Sequence, residues 1–65
     1  MKEEFTSKKS RSIFTVTGDK GRAFITVSGE ASSNRKAQDE ITRVRRGRCD
    51  WDTAVWTAKM LSATY

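Results

Sequence analysis

The chain has 65 residues, with 13 Lys and Arg against 8 Asp and Glu, no His, no Pro and a single Cys. A chain of this length forms one domain and buries only about 60% of the surface that its unfolded form exposes, which leaves no room for a substrate cleft between two lobes. One Cys cannot form an internal disulfide, and without His the chain lacks the ligands of the usual zinc sites. The sequence therefore predicts no metal and no cofactor.

No targeting or membrane-spanning segment is predicted. The N-terminus is charged from Lys2 onward, and no apolar run, such as Ala23-Phe24-Ile25, is longer than three residues. A membrane span needs about 18 consecutive apolar residues, and a secretory signal needs an apolar stretch of its own. We expect a soluble, cytoplasmic protein without a membrane partner.

The net charge of +5 is distributed unevenly along the chain. Residues 1–7 and residues 50–65 each sum to −1, and residues 8–49 sum to +7. Such a basic middle segment attracts anionic partners but does not indicate a fold.

In chain order, residues 1–11 are rich in Lys, Glu and Ser, which predicts a mobile or weakly docked basic arm outside a single domain at 12–65. Two runs rich in β-branched and aromatic residues follow, at 13–17 and 22–28, separated by Gly18-Asp19-Lys20-Gly21. Two such runs around a Gly-containing turn predict a β-hairpin over 12–28.

The segment from Glu30 to Arg48 allows two interpretations. Ser32 or Ser33 would cap a short helix near 33–38, and the β-branched residues of 41–44 favour a third strand near 40–46. Alternatively, the i, i+4, i+7 spacing of Ala37, Ile41 and Val44 indicates a single helix over 33–46 that ends at Gly47. The first interpretation is preferred, because a third strand would stabilise the hairpin.

The C-terminal residues predict a helix over 51–65, with Asp50 as N-cap and Asp52 in the first turn. Its core-facing stripe consists of Trp51, Ala54, Val55, Ala58, Leu61 and Tyr65. The helix also carries a second apolar stripe, formed by Trp56, Met60 and Ala63. One stripe is enough to cover a small sheet, so the second has no partner in the predicted domain. Either this helix is packed on two sides, or Trp56 and Met60 are anchors for a partner, which includes a homodimer. The predicted fold class is therefore α+β, a small antiparallel sheet packed by a C-terminal helix.

The strongest candidate site is an arginine cluster with four Arg in six positions. Arg binds phosphate through a fixed fork of donors, although basic residues after a helix can also simply offset the helix dipole. Further basic residues lie in the hairpin turn and in the N-terminal arm. The full candidate set for nucleic acid or an acidic partner is Arg43, Arg45, Arg46, Arg48, Lys20, Arg22, Lys8, Lys9 and Arg11.

Aromatic rings offer a second kind of site, because bases stack on exposed rings. We expect most of the rings in the core, with Phe14 or Phe24 as a stacking candidate on an open sheet face and Trp56 as the ring most expected at the surface. Cys49 precedes a helix, a position that can lower the pKa of a thiol, but with no His it lacks a catalytic base and is interpreted as structural. No catalytic residue is predicted.

The sequence thus predicts a small non-enzymatic binding module. The first hypothesis is that its arginine-rich surface contacts a nucleic-acid backbone. The alternative is a protein-binding regulator or inhibitor that docks on an acidic partner, such as a component of a nucleic-acid-processing machine. An exposed Trp56 favours a protein partner or a dimer, whereas a buried Trp56 beside an exposed Phe14 or Phe24 favours nucleic acid.

Overall fold

A computed structural model describes residues 1–46 and 49–65, with the side chains of residues 45 and 46 outside the description. Three strands are followed by two helices. Strand β1 spans Lys2–Thr6, β2 spans Ile13–Gly18 and β3 spans Ala23–Ser28. A short 3₁₀ turn at Glu30–Ser33 leads into helix α1 at Arg35–Arg46, and helix α2 spans Trp51–Thr64. This is the predicted α+β class, with helices packed on a small antiparallel sheet.

The hairpin predicted over 12–28 is confirmed as the β2–β3 pair. Its register places Val16 opposite Ile25 and Phe14 opposite Val27, so the apolar residues share one face. The turn depends on Gly18, whose φ of +139° is a backbone conformation that side chains with a Cβ rarely adopt. A Cβ at Gly18 would also lie 2.3 Å from the Arg22 carbonyl oxygen.

The third strand lies at the N-terminus and not at 40–46. Residues 1–11, predicted from the sequence as a mobile or weakly docked arm, contain β1, which pairs antiparallel with β2 and gives the strand order β1-β2-β3. The reason is Phe5, which lies opposite Phe14 and packs against the core. The amino group of Met1 adds a 2.7 Å hydrogen bond to the Gly18 carbonyl. The sheet therefore starts before the predicted domain boundary at residue 12.

Residues 35–46 form the single helix of the alternative interpretation, and the preferred helix-plus-strand interpretation was wrong. The cap is Asn34 and not Ser32 or Ser33, because the Asn34 Oδ1 accepts the Ala37 N–H at 3.1 Å. Ala37 and Ile41 are buried and Val44 packs against the core. This apolar stripe outweighs the strand propensity of 41–44. The predicted end at Gly47 lies outside the described residues.

The core lies between the sheet and the two helices, all on one face of the sheet. Its largest fully buried apolar side chains are Phe14, Val16 and Ile25. Helix α2 contacts all three strands and α1 packs on β3. The outer face of the sheet carries the alternate residues, among them Thr15, Thr26 and Phe24. This single-layer coverage leaves α2 with one face on the sheet and one face outward.

Candidate functional site

Helix α2 begins at the tip of the β2–β3 hairpin, residues 19–22, called here the hairpin tip. The Trp51 N–H donates to the Lys20 carbonyl at 3.1 Å, and the Ala23 N–H donates to the Cys49 carbonyl at 2.8 Å. Within the tip, the Asp19 carboxylate accepts the N–H groups of Gly21 and Arg22 at 3.2 and 3.0 Å. These bonds fix the first turn of α2 beside Lys20 and Arg22.

The predicted N-cap position of Asp50 is confirmed by its backbone. Asp50 has the extended φ and ψ of an N-cap, −77° and 168°, and its carbonyl accepts the Ala54 N–H at 3.0 Å. Its carboxylate makes no capping hydrogen bond of standard geometry. Interaction with the Thr53 side chain, assisted by backbone N–H groups, nevertheless lowers the pKa of the Asp50 carboxyl against a smaller opposing effect of burial. The carboxylate is therefore favoured at the start of α2, where the helix dipole also favours negative charge.

The core-facing stripe of α2 is confirmed. Ala54, Ala58 and Leu61 are buried, and Trp51, Val55 and Tyr65 are partly buried against the core. Thr57 is also buried, which the apolar pattern did not predict. Its hydroxyl donates to the Thr53 carbonyl at 2.8 Å, so the polar atom is satisfied within the helix.

The second stripe of α2 faces outward. Trp56 is 63% exposed and Met60 is 43% exposed, and Ala63 next along the stripe is exposed as well. Exposed large apolar side chains that adjoin one another are uncommon on a small soluble domain and mark candidate interaction sites. Lys59 borders this stripe on the β1 side, where its ammonium lies 5.9 Å from the centroid of the Phe5 ring.

The basic candidates divide between the two ends of the sheet. Lys20 and Arg22 lie in the hairpin tip, whereas Lys8, Lys9 and Arg11 lie in the β1–β2 connection at the opposite end. Strand β2 between them has six residues, about 20 Å of extended chain. These two groups therefore do not form one continuous patch.

The described part of the arginine cluster lies on α1. The Arg43 side chain is 77% exposed, and its guanidinium lies 3.5 Å from the Glu40 carboxylate in an exposed i, i+3 ion pair. Arg45 and Arg46 belong to the last turn of α1, and their side chains lie outside the described residues, as does the whole of Arg48. Cys49 follows Arg46 by three residues, at most about 11 Å of chain, and bonds to the start of β3. The C-terminal end of α1 is therefore near the hairpin tip.

The opposite end of the sheet is organised by serines, which the sequence reasoning missed. We call residues 7–12 the serine loop. The buried Ser12 hydroxyl accepts the Ala31 N–H at 2.7 Å, and the buried Ser7 hydroxyl accepts the Lys9 N–H at 3.2 Å. The Ser10 hydroxyl bonds to Ser12 and to the main-chain oxygen of Tyr65, which links this loop to the last turn of α2. The sequence signal for this loop was the close spacing of Ser7, Ser10 and Ser12, which are two or three positions apart.

The two aromatic candidates and the thiol differ in their exposure. Phe14 is fully buried and cannot stack on a base, whereas Phe24 is 39% exposed on the outer sheet face. Cys49 is buried, and its thiol donates to the Asp50 carbonyl at 3.3 Å. Burial, followed by the charge of Asp50, raises the pKa of the Cys49 thiol, the opposite of the lowering that a position before a helix can cause.

Across residues 1–46 and 49–65, no group of His, Cys, Asp and Glu side chains could hold a metal ion. Neither α1 nor α2, as far as the chain is described, is long and apolar enough to cross a membrane. The structure thus defines a small α+β domain with an outward apolar stripe on α2. Comparison of the chain with protein-family models, with curated proteins and with solved structures finds no match.

Proposed function

We propose that the chain is a small non-enzymatic protein-binding module, whose anchor is the outward stripe of α2. The observation that carries this proposal is the exposure of Trp56, 63% of its surface, beside the 43% exposed Met60. Of the two hypotheses drawn from the sequence, this exposure favours the protein partner. Trp is the residue type most enriched at the energetic centre of protein interfaces, and Met adapts its shape to a partner.

The size of the exposed ring supports an anchoring role. Burying the exposed part of a Trp side chain removes about 150 Å² from water, which contributes about 4 kcal/mol at 25 cal/mol per Å². No other exposed large apolar side chain in the described chain combines a ring with an apolar neighbour one helical turn away. A pocket that receives Trp56 would therefore supply a large share of the affinity.

The partner that fits this surface is a protein with an apolar pocket and an acidic rim. The first turn of α2 is bonded to Lys20, so a partner seated on Trp56 also comes close to the basic hairpin tip. Trp56 lies five positions after Trp51, a rise of about 8 Å along the helix. A second copy of the chain is a poorer fit because each copy carries a net charge of +5.

The experiment compares wild type with Trp56→Ala and with a matched control, Thr64→Ala, at another exposed position of α2. Each immobilised chain is incubated with nuclease-treated lysate, the bound proteins are identified, and the purified partner is titrated against all three chains. We expect Trp56→Ala to raise the dissociation constant by at least about 30-fold, the smallest effect that defines a hot-spot residue, and Thr64→Ala to leave it unchanged. Circular dichroism verifies that each variant is folded.

Equal partner binding by folded Trp56→Ala would contradict the proposal. So would sedimentation of the purified wild type as a dimer that Trp56→Ala converts to a monomer, because the stripe would then be covered by a second copy. The homodimer predicted from the sequence is thus an outcome of the same series.

Nucleic-acid binding is the second candidate function, and one observation favours it. The bonds from Lys20 and Ala23 to the chain around Cys49 bring the hairpin tip close to the end of α1. Lys20, Arg22 and the arginine-rich end of α1 would together present a basic surface to a phosphate backbone. Arg43 contributes less to it because Glu40 lies 3.5 Å away.

This candidate is tested by titrating labelled duplex DNA and single-stranded RNA over a range of salt concentrations. Replacing Arg43, Arg45, Arg46 and Arg48 by Ala should flatten the log–log salt slope on duplex DNA by about 3 to 4 units if each neutralises one phosphate. Replacing Lys8, Lys9 and Arg11 at the far end of the sheet is the matched control. Absence of salt-dependent binding to either nucleic acid would exclude this candidate function.

A cytoplasmic location remains a prediction for both candidate functions.

A further inference from the structure

The two edge strands of the sheet differ in how they are protected. Strand β1 carries Lys2, Glu3 and Glu4 among its five residues, whereas β3 carries no charged residue between Ala23 and Ser28. Charges on an edge strand are a common device against the addition of a foreign strand. Strand β3 lacks that device and contains Phe, Ile and Val, which favour strand pairing.

The backbone of β3 is open along its outer side. In an antiparallel pair, alternate residues direct their N–H and C=O groups toward the partner strand and away from it. The Ala23 N–H points away from β2 and bonds to Cys49, so Ile25 and Val27, two and four residues further, direct theirs to the same open side. Among the described residues, none donates to or accepts from the backbone groups of Ile25 and Val27 on this side.

A groove runs along this open edge between β3 and α1. Its volume is about 230 Å³, and it is lined by Ile25, Thr26, Val27, Gln38, Ile41 and Thr42. Ile25 and Ile41 form a buried apolar floor, and Thr26 and Thr42 form an exposed polar rim. Pockets for small molecules typically have about 300–1,000 Å³, so this groove suits the side chains of an extended peptide better.

The charge beside the groove selects its occupant. Helix α1 carries five basic residues against two acidic ones, a net charge of +3, and β3 is uncharged. A second copy that added its own β3 would bring another helix of charge +3 beside the first, which opposes self-association. An acidic segment would be attracted instead.

We propose that the open edge of β3 receives an extended acidic segment of a partner protein as a fourth strand. The backbone groups of Ile25 and Val27 would pair with this segment, and its alternate apolar side chains would enter the groove beside Ile41. This site is separate from the outward stripe of α2 and does not rest on Trp56.

The test is a selection with the intact chain from a displayed library of random peptides of about ten residues, the upper length of a typical strand. We expect enrichment of peptides in which Asp or Glu alternate with Val, Ile or Leu. The selected peptide is then titrated by fluorescence anisotropy against wild type, Thr42→Glu and Thr42→Lys. Thr42 is exposed on the groove rim, so both variants are expected to fold.

Thr42→Glu should weaken binding of the acidic peptide by at least about fivefold, and Thr42→Lys should preserve or strengthen it, because only the sign of the charge differs. Binding of the peptide should also slow hydrogen exchange at the Ile25 and Val27 amides. Trp56→Ala should leave the affinity for the peptide unchanged. The proposal is overturned if no peptide is enriched, if the enriched peptides lack acidic residues, or if exchange is slowed elsewhere. Concentration-dependent protection of the same amides in the chain alone would assign the edge to a second copy instead.

Discussion

The hairpin tip and the serine loop close opposite ends of the same sheet, and both carry basic residues. The hairpin tip is an exposed turn, held by the Asp19 carboxylate and by the positive φ of Gly18. The serine loop is internal by comparison, because the Ser7 and Ser12 side chains are buried and bond to backbone N–H groups. The hairpin tip is thus held by a carboxylate and by the conformation of one glycine, and the serine loop is held by buried hydroxyl groups.

The two ends carry similar basic residues but place them beside different parts of the fold. Lys8 and Lys9 in the serine loop and Lys20 and Arg22 in the hairpin tip have similar side chains and are all exposed. Only the hairpin tip adjoins the start of α2 and the end of α1, through the bonds to Cys49 and Trp51. The basic residues of the tip therefore lie beside the start of α2, whereas those of the serine loop lie about 20 Å away along β2, beside the last turn of the same helix.

The largest expected effect tests the hairpin tip. Gly18→Ala places a Cβ 2.3 Å from the Arg22 carbonyl oxygen at a φ of +139°, so the turn must deform. We expect a loss of more than about 2 kcal/mol in the free energy of unfolding, measured by urea denaturation. Gly21→Ala is the matched control, because a Cβ there meets nothing within 4 Å. Equal stability of the two variants would mean that the tip does not depend on backbone conformation.

A smaller effect is expected at the serine loop. Ser12→Ala removes the acceptor of the Ala31 N–H and leaves a buried donor without its partner. The expected loss is about 1 to 2 kcal/mol in the free energy of unfolding. Ser28→Ala, at an exposed position of β3, should change it by less than about 0.5 kcal/mol. A Ser12→Ala variant as stable as Ser28→Ala would show that the loop is not held by its buried hydroxyls.

The comparison also explains which parts of the fold could be predicted from the sequence. The hairpin and helix α2 depend on local signals, namely Gly18 in the turn, Asp50 before the helix and the apolar stripe from Ala54 to Leu61. Strand β1 and the serine loop have no such local signal and depend on tertiary contacts, such as Phe5 with Phe14 and Ser12 with Ala31. A polar segment with one Phe therefore resembled a mobile arm.

The same reasoning applies to the candidate sites. The outward exposure of Trp56 and Met60 was predictable because α2 has two apolar stripes and only one sheet to cover. The groove beside β3 was not predictable, since residues 40–46 were expected to be the third strand and not part of a helix. An edge site requires knowledge of which strand lies at the edge, and strand order is a tertiary property.

The smallest expected effect concerns the link between the hairpin tip and α2. The pKa of Asp50 is lowered in the folded chain, chiefly by the Thr53 side chain, so the ionised form stabilises the fold above the ordinary carboxyl pKa of 3.8. This contribution is lost as the pH falls through the lowered pKa, because the unfolded chain takes up the proton first. Asp50→Asn keeps a capping residue and removes the titration. The melting temperature of wild type minus that of Asp50→Asn should therefore decrease as the pH falls from 6 toward 2, since all other carboxyl groups are common to both chains. A difference that stays constant over this range would show that the charge of Asp50 does not stabilise the start of α2, and that backbone bonds such as Trp51 N–H to Lys20 carbonyl are sufficient to hold the helix at the hairpin tip.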